Sequence, residues 1–251
     1  MVARLGDAVN LSLVIVPNRS HITLLVNMIR VTRSPKHAYR GVKVGRLATR
    51  CGAMQKLSEV APFLALIGHP RTVVEIGAGH GGMLAAFCAV SAEDATIISV
   101  DLEGGPFAPS GGGVSDTELR SRANPKPHQK LHLVRGDSRD REICDYVASL
   151  TPNGIDVLLI DGDHTYEGVS SDFRAYAPLV APDGIIALHD ILPHSRVREC
   201  QVDRFWRELT GPRKREIVSP GELYDDGTWG GIGLVAPQST RSGSDLASGI
   251  A

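Results

Sequence analysis

No charge of either sign is in surplus in these 251 residues: Lys plus Arg number 27 against 28 Asp plus Glu. A nucleic-acid partner held through its phosphates is therefore not expected, because such surfaces carry a basic excess. Basic residues do gather early (Arg30, Arg33, Lys36, Arg40, Lys43, Arg46, Arg50), which a solvated or subunit-contacting face accounts for. No CxxC pair exists. Cys51, Cys88, Cys144 and Cys200 stand far apart, and Cys88 falls on an apolar helical stripe, so reduced thiols are expected. No apolar stretch approaches the ~20 residues of a membrane span; Pro17-Asn18-Arg19-Ser20-His21 breaks the longest candidate. The basic region, apolar core and small-residue cleavage site of a secretory signal are also missing. No internal repeat is visible. These absences leave a soluble, cytoplasmic expectation with no membrane partner, in a chain long enough to bury a sizeable core.

What is present is clearest from Ile155 to Ile191. An apolar run, Val157-Leu158-Leu159-Ile160, stops at Asp161-Gly162-Asp163-His164, as a central parallel strand buried on both faces would. Thr165 suits a helix N-cap, and Val169, Phe173, Tyr176 and Val180 follow at helical spacing. Pro182-Asp183-Gly184 turns the chain into a second run, Ile185 to Leu188, which ends at His189-Asp190. One strand–helix–strand unit with a right-handed crossover delivers both polar ends to the same sheet edge, where open α/β folds bind ligands. Asp161, His164, His189 and Asp190 are the candidate active site.

A first core strand over Thr72–Ile76 runs into Gly77-Ala78-Gly79-His80-Gly81-Gly82, and Met83, Leu84, Phe87 and Cys88 mark the helix after it. Glycines 77, 79 and 82 satisfy GxGxxG between a strand and a helix, which permits a tight turn close to a nucleotide. The motif alone does not separate NAD from S-adenosylmethionine. Glu75 does so on charge: a carboxylate there would repel a pyrophosphate but suits a sulfonium. Thr96–Val100 leads to Asp101, placed to accept hydrogen bonds from ribose hydroxyls in either cofactor. Residues 103–130 form a long polar loop, either a cover over the substrate or a plain insertion, with a short helix near Ser115–Ala123. Leu131–Val134 ends at Arg135-Gly136-Asp137-Ser138, where Asp137 and Ser138 serve an adenine amino group, a helix N-cap, or both. Met54, Leu57, Val60, Ala61 and Leu64 predict a helix over Gly52–Ile67. A further helix is expected over Val197–Leu209, and a strand pair near 216–218 and 231–235. The expected fold class is α/β, a Rossmann-like doubly wound and mostly parallel seven-stranded sheet with helices on both faces.

Read together, EIGAGHGG, VDLEGG, RGDS, LLIDGDHTYEGVSSDFRAYAPLVAPDGIIALHDI and WGGIG resemble the class I S-adenosylmethionine-dependent methyltransferases. More narrowly they are similar to the cephalosporin-hydroxylase-like, macrocin and mycinamicin O-methyltransferase group of antibiotic biosynthesis. The similarity spans roughly Gly52 to Ala236. It implies S-adenosyl-L-methionine bound by Glu75, Gly77, Gly79, Gly81, Asp101, Asp137, Ser138 and Asp161. It further implies His164 as the catalytic base with Asp161 beside it, and a divalent metal, Mg²⁺ first, on Asp161, Asp190 and His189. The family often has an acid where His189 stands, and imidazole is a poor Mg²⁺ ligand; either His189 is not a ligand or a softer ion binds.

The implied activity is methyl transfer to a hydroxyl of a small molecule, a sugar or a natural product. The alternatives are a non-catalytic S-adenosylmethionine-binding pseudo-enzyme or partner subunit, and an NAD-linked oxidoreductase, which Glu75 disfavours. The domain reading is an N-terminal extension over 1–50, a methyltransferase domain over 51–236 and a disordered tail over 237–251. Apolar segments at Leu11–Val16 (strand or short helix) and Ile22–Val31 (helix) would be exposed on a monomer, so a homo-oligomer, a dimer or higher, is expected.

Overall fold

The computed structural model describes residues 13–14, 34–102, 114–194, 197–210, 214–218 and 229–237. The expected helix at Ile22–Val31, the first part of the long loop and all but Pro237 of the tail lie outside the described residues.

In chain order the elements are β1 (Leu13–Val14), α1 (Pro35–Arg50), α2 (Leu57–Leu66), β2 (Thr72–Ile76), α3 (Gly82–Val90), β3 (Thr96–Asp101), α4 (Asp116–Ala123) and β4 (Lys130–Arg135). Then come α5 (Arg141–Leu150), β5 (Ile155–Ile160), α6 (Tyr166–Tyr176), a short 3₁₀ turn, β6 (Val180–His189), α7 (Val202–Glu208), β7 (Lys214–Val218) and β8 (Ile232–Val235). The strands form one sheet in the order β1-β7-β8-β6-β5-β2-β3-β4. Only β8 runs against its neighbours, β6 and β7. The seven expected strands are present, and Leu13–Val14 adds a two-residue eighth beside β7.

The alternation of strand side chains builds two cores. Val73, Ile97, Val157, Leu159, Ile185 and Ala187 pack on one face with Phe63, Leu64, Leu84 and Phe87 from α2 and α3. Val74, Ile98, Leu158, Ile160, Ile186 and Leu188 pack on the other with Val147, Val169, Tyr176 and Phe205 from α5, α6 and α7. Burial on both faces explains why these strands read as unbroken apolar runs rather than as an alternation. On α1, Ala38, Val44 and Ala48 are buried, so this helix is part of the packed body.

Two boundaries differ from the sequence reading. The helix expected from Gly52 begins at Leu57, and Met54 is 56 % exposed on the preceding segment. Gly82 explains the break: a Cβ there would lie 2.0 Å from the Ala53 nitrogen, so residues 52–56 cross the start of α3 in close contact. The last helix begins at Val202, not Val197.

Candidate active site

β2 pairs with β3 on one side and β5 on the other, so the strand order reverses beside β2 and opens a crevice at its carboxyl end. Two amides pin the crevice: Gly77 donates to the Val100 carbonyl at 2.8 Å and Asp161 to the Ile76 carbonyl at 2.9 Å. The turn after β2 therefore lies against the start of the segment after β5. A cavity of about 530 Å³ occupies this edge, and Glu75, Gly77, Gly79, Asp101, Asp137, Ser138, Asp161, His164, His189 and Asp190 all line it. Gly81 does not. It caps α3 in the left-handed region (φ 82°), with Leu119 of α4 packed where a side chain would go.

Glu75 is buried and accepts from the Ser99 hydroxyl at 2.9 Å. Burial raises its carboxyl well above the usual range, with the Asp161 and Asp101 charges adding to the rise against the Ser99 bond. A carboxyl raised in this way holds its proton more readily than a free one, and a cationic partner would favour its charged form. Asp101 is also raised by burial, partly offset by Arg135 at 3.2 Å. Asp137 is held below its usual range by Arg139, which contacts it at 2.7 Å.

Ser138 is tied down from behind. Its hydroxyl donates to Asp172 at 2.6 Å, while its carbonyl accepts from Tyr176 at 2.8 Å and from the Cys144 thiol at 3.2 Å. Burial pushes the Asp172 carboxyl up to about 6, and one of its oxygens has no partner. A raised acid binds its proton more tightly folded than unfolded, so stability falls as pH rises from about 4 to 6. The cost is then fully present above pH 6, at up to about 3 kcal/mol. Asp172→Asn is expected to be the more stable chain at pH 8 and to lose that pH slope. Urea unfolding at pH 4 and pH 8 checks this; an unchanged slope would refute the assignment.

At the far end of the cavity the strand ends of β5 and β6 bring four polar residues together. His164 lies between the two aspartates, Nε2 at 3.1 Å from Asp161 and Nδ1 at 3.2 Å from Asp190. His189 Nδ1 stands 3.2 Å from Asp161 and 3.5 Å from Asp190. Asp190 takes the left-handed φ of 60°, a strained choice for a residue with a side chain. Burial opposes charge on His164, but Asp161 and Asp190 outweigh it and push the imidazole up to about 10. The same balance raises His189 well above its usual range. Burial would raise Asp161 and Asp190, yet the imidazoles hold both low. Each imidazole thus favours charge on the carboxylates, and each carboxylate favours charge on the imidazoles.

Asp161, His189 and Asp190 place ligand atoms within 4.8 Å of one another, as a metal site requires, and His164, Asp190 and Cys200 form a second such group. One Asp190 oxygen is buried without a partner. Two carboxylates and an imidazole fit a divalent cation, and the nitrogen favours a borderline transition ion over Mg²⁺.

Several lining residues were not anticipated. Gln55 donates to Asp161 from the segment misread as helix. Trp229 lies beside Lys56, whose ammonium donates to the Trp229 carbonyl at 2.6 Å. Cys200 and His194 also reach the cavity. Only the WGGIG motif signalled any of these in advance. The helix Asp116–Ala123 is fixed rather than free, with Leu119 and Ala123 buried and Arg122 donating to the His80 carbonyl at 2.7 Å.

Residues 74–191, which contain the carboxyl ends of β2, β3, β4, β5 and β6, match a family profile described as a methyltransferase domain. Residues 74–191 are thus similar to a methyltransferase domain over just under half of the chain. Among curated relatives, the ribosomal RNA large subunit methyltransferase E of Methanococcus maripaludis is 27 % identical over 137 residues, covering 55 % of this chain and 45 % of that protein. The chain spans 15 % to 51 % of the length of the curated relatives it matches. Among solved structures, the MycE methyltransferase of the mycinamycin pathway, with Mg and SAH, is 18 % identical over 77 % of this chain and 53 % of that one, with a TM-score of 0.46. The O-methyltransferase TomG of Streptomyces achromogenes, with SAM, is 14 % identical over 89 % of this chain and 92 % of that one, with a TM-score of 0.47. None of the described helices is long and apolar enough to cross a membrane.

Proposed function

We propose that the protein is an S-adenosylmethionine-dependent O-methyltransferase acting on a hydroxyl of a small molecule, a sugar or a natural product. The observation that supports this most is the meeting of Gly77, Asp101, Asp161 and His164 on one cavity of about 530 Å³, within the range of small-ligand sites. In this reading Asp101 accepts from the ribose hydroxyls, and Asp137 and Ser138 serve the adenine. Glu75 offers an acid to a cofactor that carries positive charge on its sulfonium and amino groups.

Methyl transfer asks little covalent help of a protein, because the sulfonium is already a good leaving group. The acceptor oxygen bonds to the methyl carbon, the carbon–sulfur pair returns to sulfur, and the hydroxyl proton must leave. Holding oxygen, carbon and sulfur in line supplies up to about 7–11 kcal/mol in favourable cases. His164 is the proposed proton acceptor, with Asp161 fixing its ring at Nε2. A divalent cation on Asp161, His189 and Asp190 would supply positive charge that makes the acceptor hydroxyl more acidic. His164 would take the hydroxyl proton in its neutral form, which the charge of such an ion beside both carboxylates would favour.

Calorimetry against S-adenosylmethionine and NAD tests the cofactor before any acceptor is known. S-adenosylmethionine is expected to bind at about 1 μM, near −8 kcal/mol. Asp101→Ala should weaken it by about 1.5–3 kcal/mol, the worth of hydrogen bonds to a charged group. Binding of NAD without S-adenosylmethionine would overturn the reading.

Self-association belongs to the same proposal: a dimer or higher oligomer, supported by the apolar stretches near the N-terminus. Light scattering should give at least twice the 26.8 kDa chain mass. A monodisperse monomer would rule it out.

A further inference from the structure

Glu59 has no part in the proposed mechanism, and its place in the fold is unusual. It lies in the first turn of α2 and is fully buried, with the Gly231 backbone amide directed at its carboxylate. Lys56, also buried, is 3.6 Å away but gives its hydrogen bond to the Trp229 carbonyl. His189 Nε2 stands 4.0 Å from Glu59 and is buried without a hydrogen-bond partner. The other ring nitrogen, Nδ1, faces Asp161 and Asp190. An unpartnered ring nitrogen thus faces a buried carboxylate across one short gap, on the side of His189 away from the aspartates. A histidine that binds a metal through one nitrogen commonly gives its other N–H to a carboxylate, which fixes the tautomer and the ring's aim.

We propose that Glu59 is a positioning residue for His189, receiving its Nε2–H so that Nδ1 is presented with Asp161 and Asp190 to a borderline divalent cation. This rests on the cation in the proposed function, not on the methyl acceptor. The competing account is structural: an acid in the first turn of a helix, beside a lysine, is favourable without any ligand. The two accounts differ in what loss of Glu59 does to cation binding.

The test uses full-length protein freed of metal by chelation and titrated with Co²⁺, read by calorimetry and by the visible absorption of the ion. Glu59→Gln should weaken Co²⁺ by about 10–100-fold and shift the visible bands toward those of His189→Ala. It should leave S-adenosylmethionine affinity unchanged. In a His189→Ala background the same substitution should cost Co²⁺ nothing further. An unchanged Co²⁺ affinity in Glu59→Gln overturns the assignment, as does an equal loss in both backgrounds. Wild-type protein that binds S-adenosylmethionine but no Co²⁺ also overturns it while leaving the methyl-transfer reading standing. Co²⁺ binding that depends on Glu59, in a chain that does not bind S-adenosylmethionine, supports Glu59 and removes the methyl-transfer reading.

Discussion

His164→Ala is expected to lower methyl transfer by about 10²–10⁴-fold, the usual worth of a general base, while S-adenosylmethionine binds as before. The measurement is turnover on an acceptor found by screening hydroxylated small molecules, beside calorimetry of the cofactor. His164 lies on the wall of the shared cavity with Asp161 3.1 Å from Nε2, and the role requires Nδ1, 3.2 Å from Asp190, to turn to the acceptor hydroxyl. A second role is also built into that geometry, because without the imidazole the two carboxylates would repel each other. The roles separate on adding a divalent cation to the alanine variant. A cation restores the lost separation but not a proton acceptor, so turnover should stay low if His164 is the base. Recovery to the wild-type rate would reduce His164 to a spacer, and a fully active variant would remove it from the mechanism. Excess chelator applied to the wild type should suppress turnover and spare cofactor binding.

Most of this site was legible because each strand ends abruptly. Ile160 gives way to Asp161 and Leu188 to His189-Asp190, so the sequence marks which residues reach the sheet edge. The pairing of those edges followed from parallel topology alone. The segment before α2 was not legible, and the reason is geometric. Met54 continues the apolar spacing of Leu57, Val60, Ala61 and Leu64, yet it sits in an extended crossing forced by the contact of Ala53 with Gly82. Periodicity cannot register a contact thirty residues ahead. Lys56 and Glu59 carry the spacing of a surface ion pair, and nothing local says that both are buried. The ionisation of Glu75 likewise depends on burial between strands, which a linear pattern does not express.

The other large effect is expected at Gly77. Its φ is 93°, outside what side-chain-bearing residues readily adopt. A Cβ added there would lie 2.2 Å from the Asp161 carbonyl oxygen and 2.7 Å from its carbon. Neither partner can retreat, since the Ile76 carbonyl holds the Asp161 amide and the Val100 carbonyl holds that of Gly77. Overpacking costs about 1–3 kcal/mol and the left-handed backbone about 1–2 kcal/mol. Together they are a large share of a typical stability of about 5–15 kcal/mol. Gly77→Ala should therefore lower the melting temperature by roughly 5–20 °C. It should also weaken S-adenosylmethionine by more than tenfold, because relief of the clash moves Asp161. Gly79→Ala is the control within the same motif. There φ is 48° and the only neighbour is the flexible Met54 Cε at 3.9 Å, so about 1 kcal/mol is expected. Thermal unfolding and calorimetry of the two variants decide the matter. Equal losses would mean that the glycines serve the turn alone. A loss concentrated at Gly77 would mean that the first glycine exists to let β5 deliver Asp161 against the end of β2.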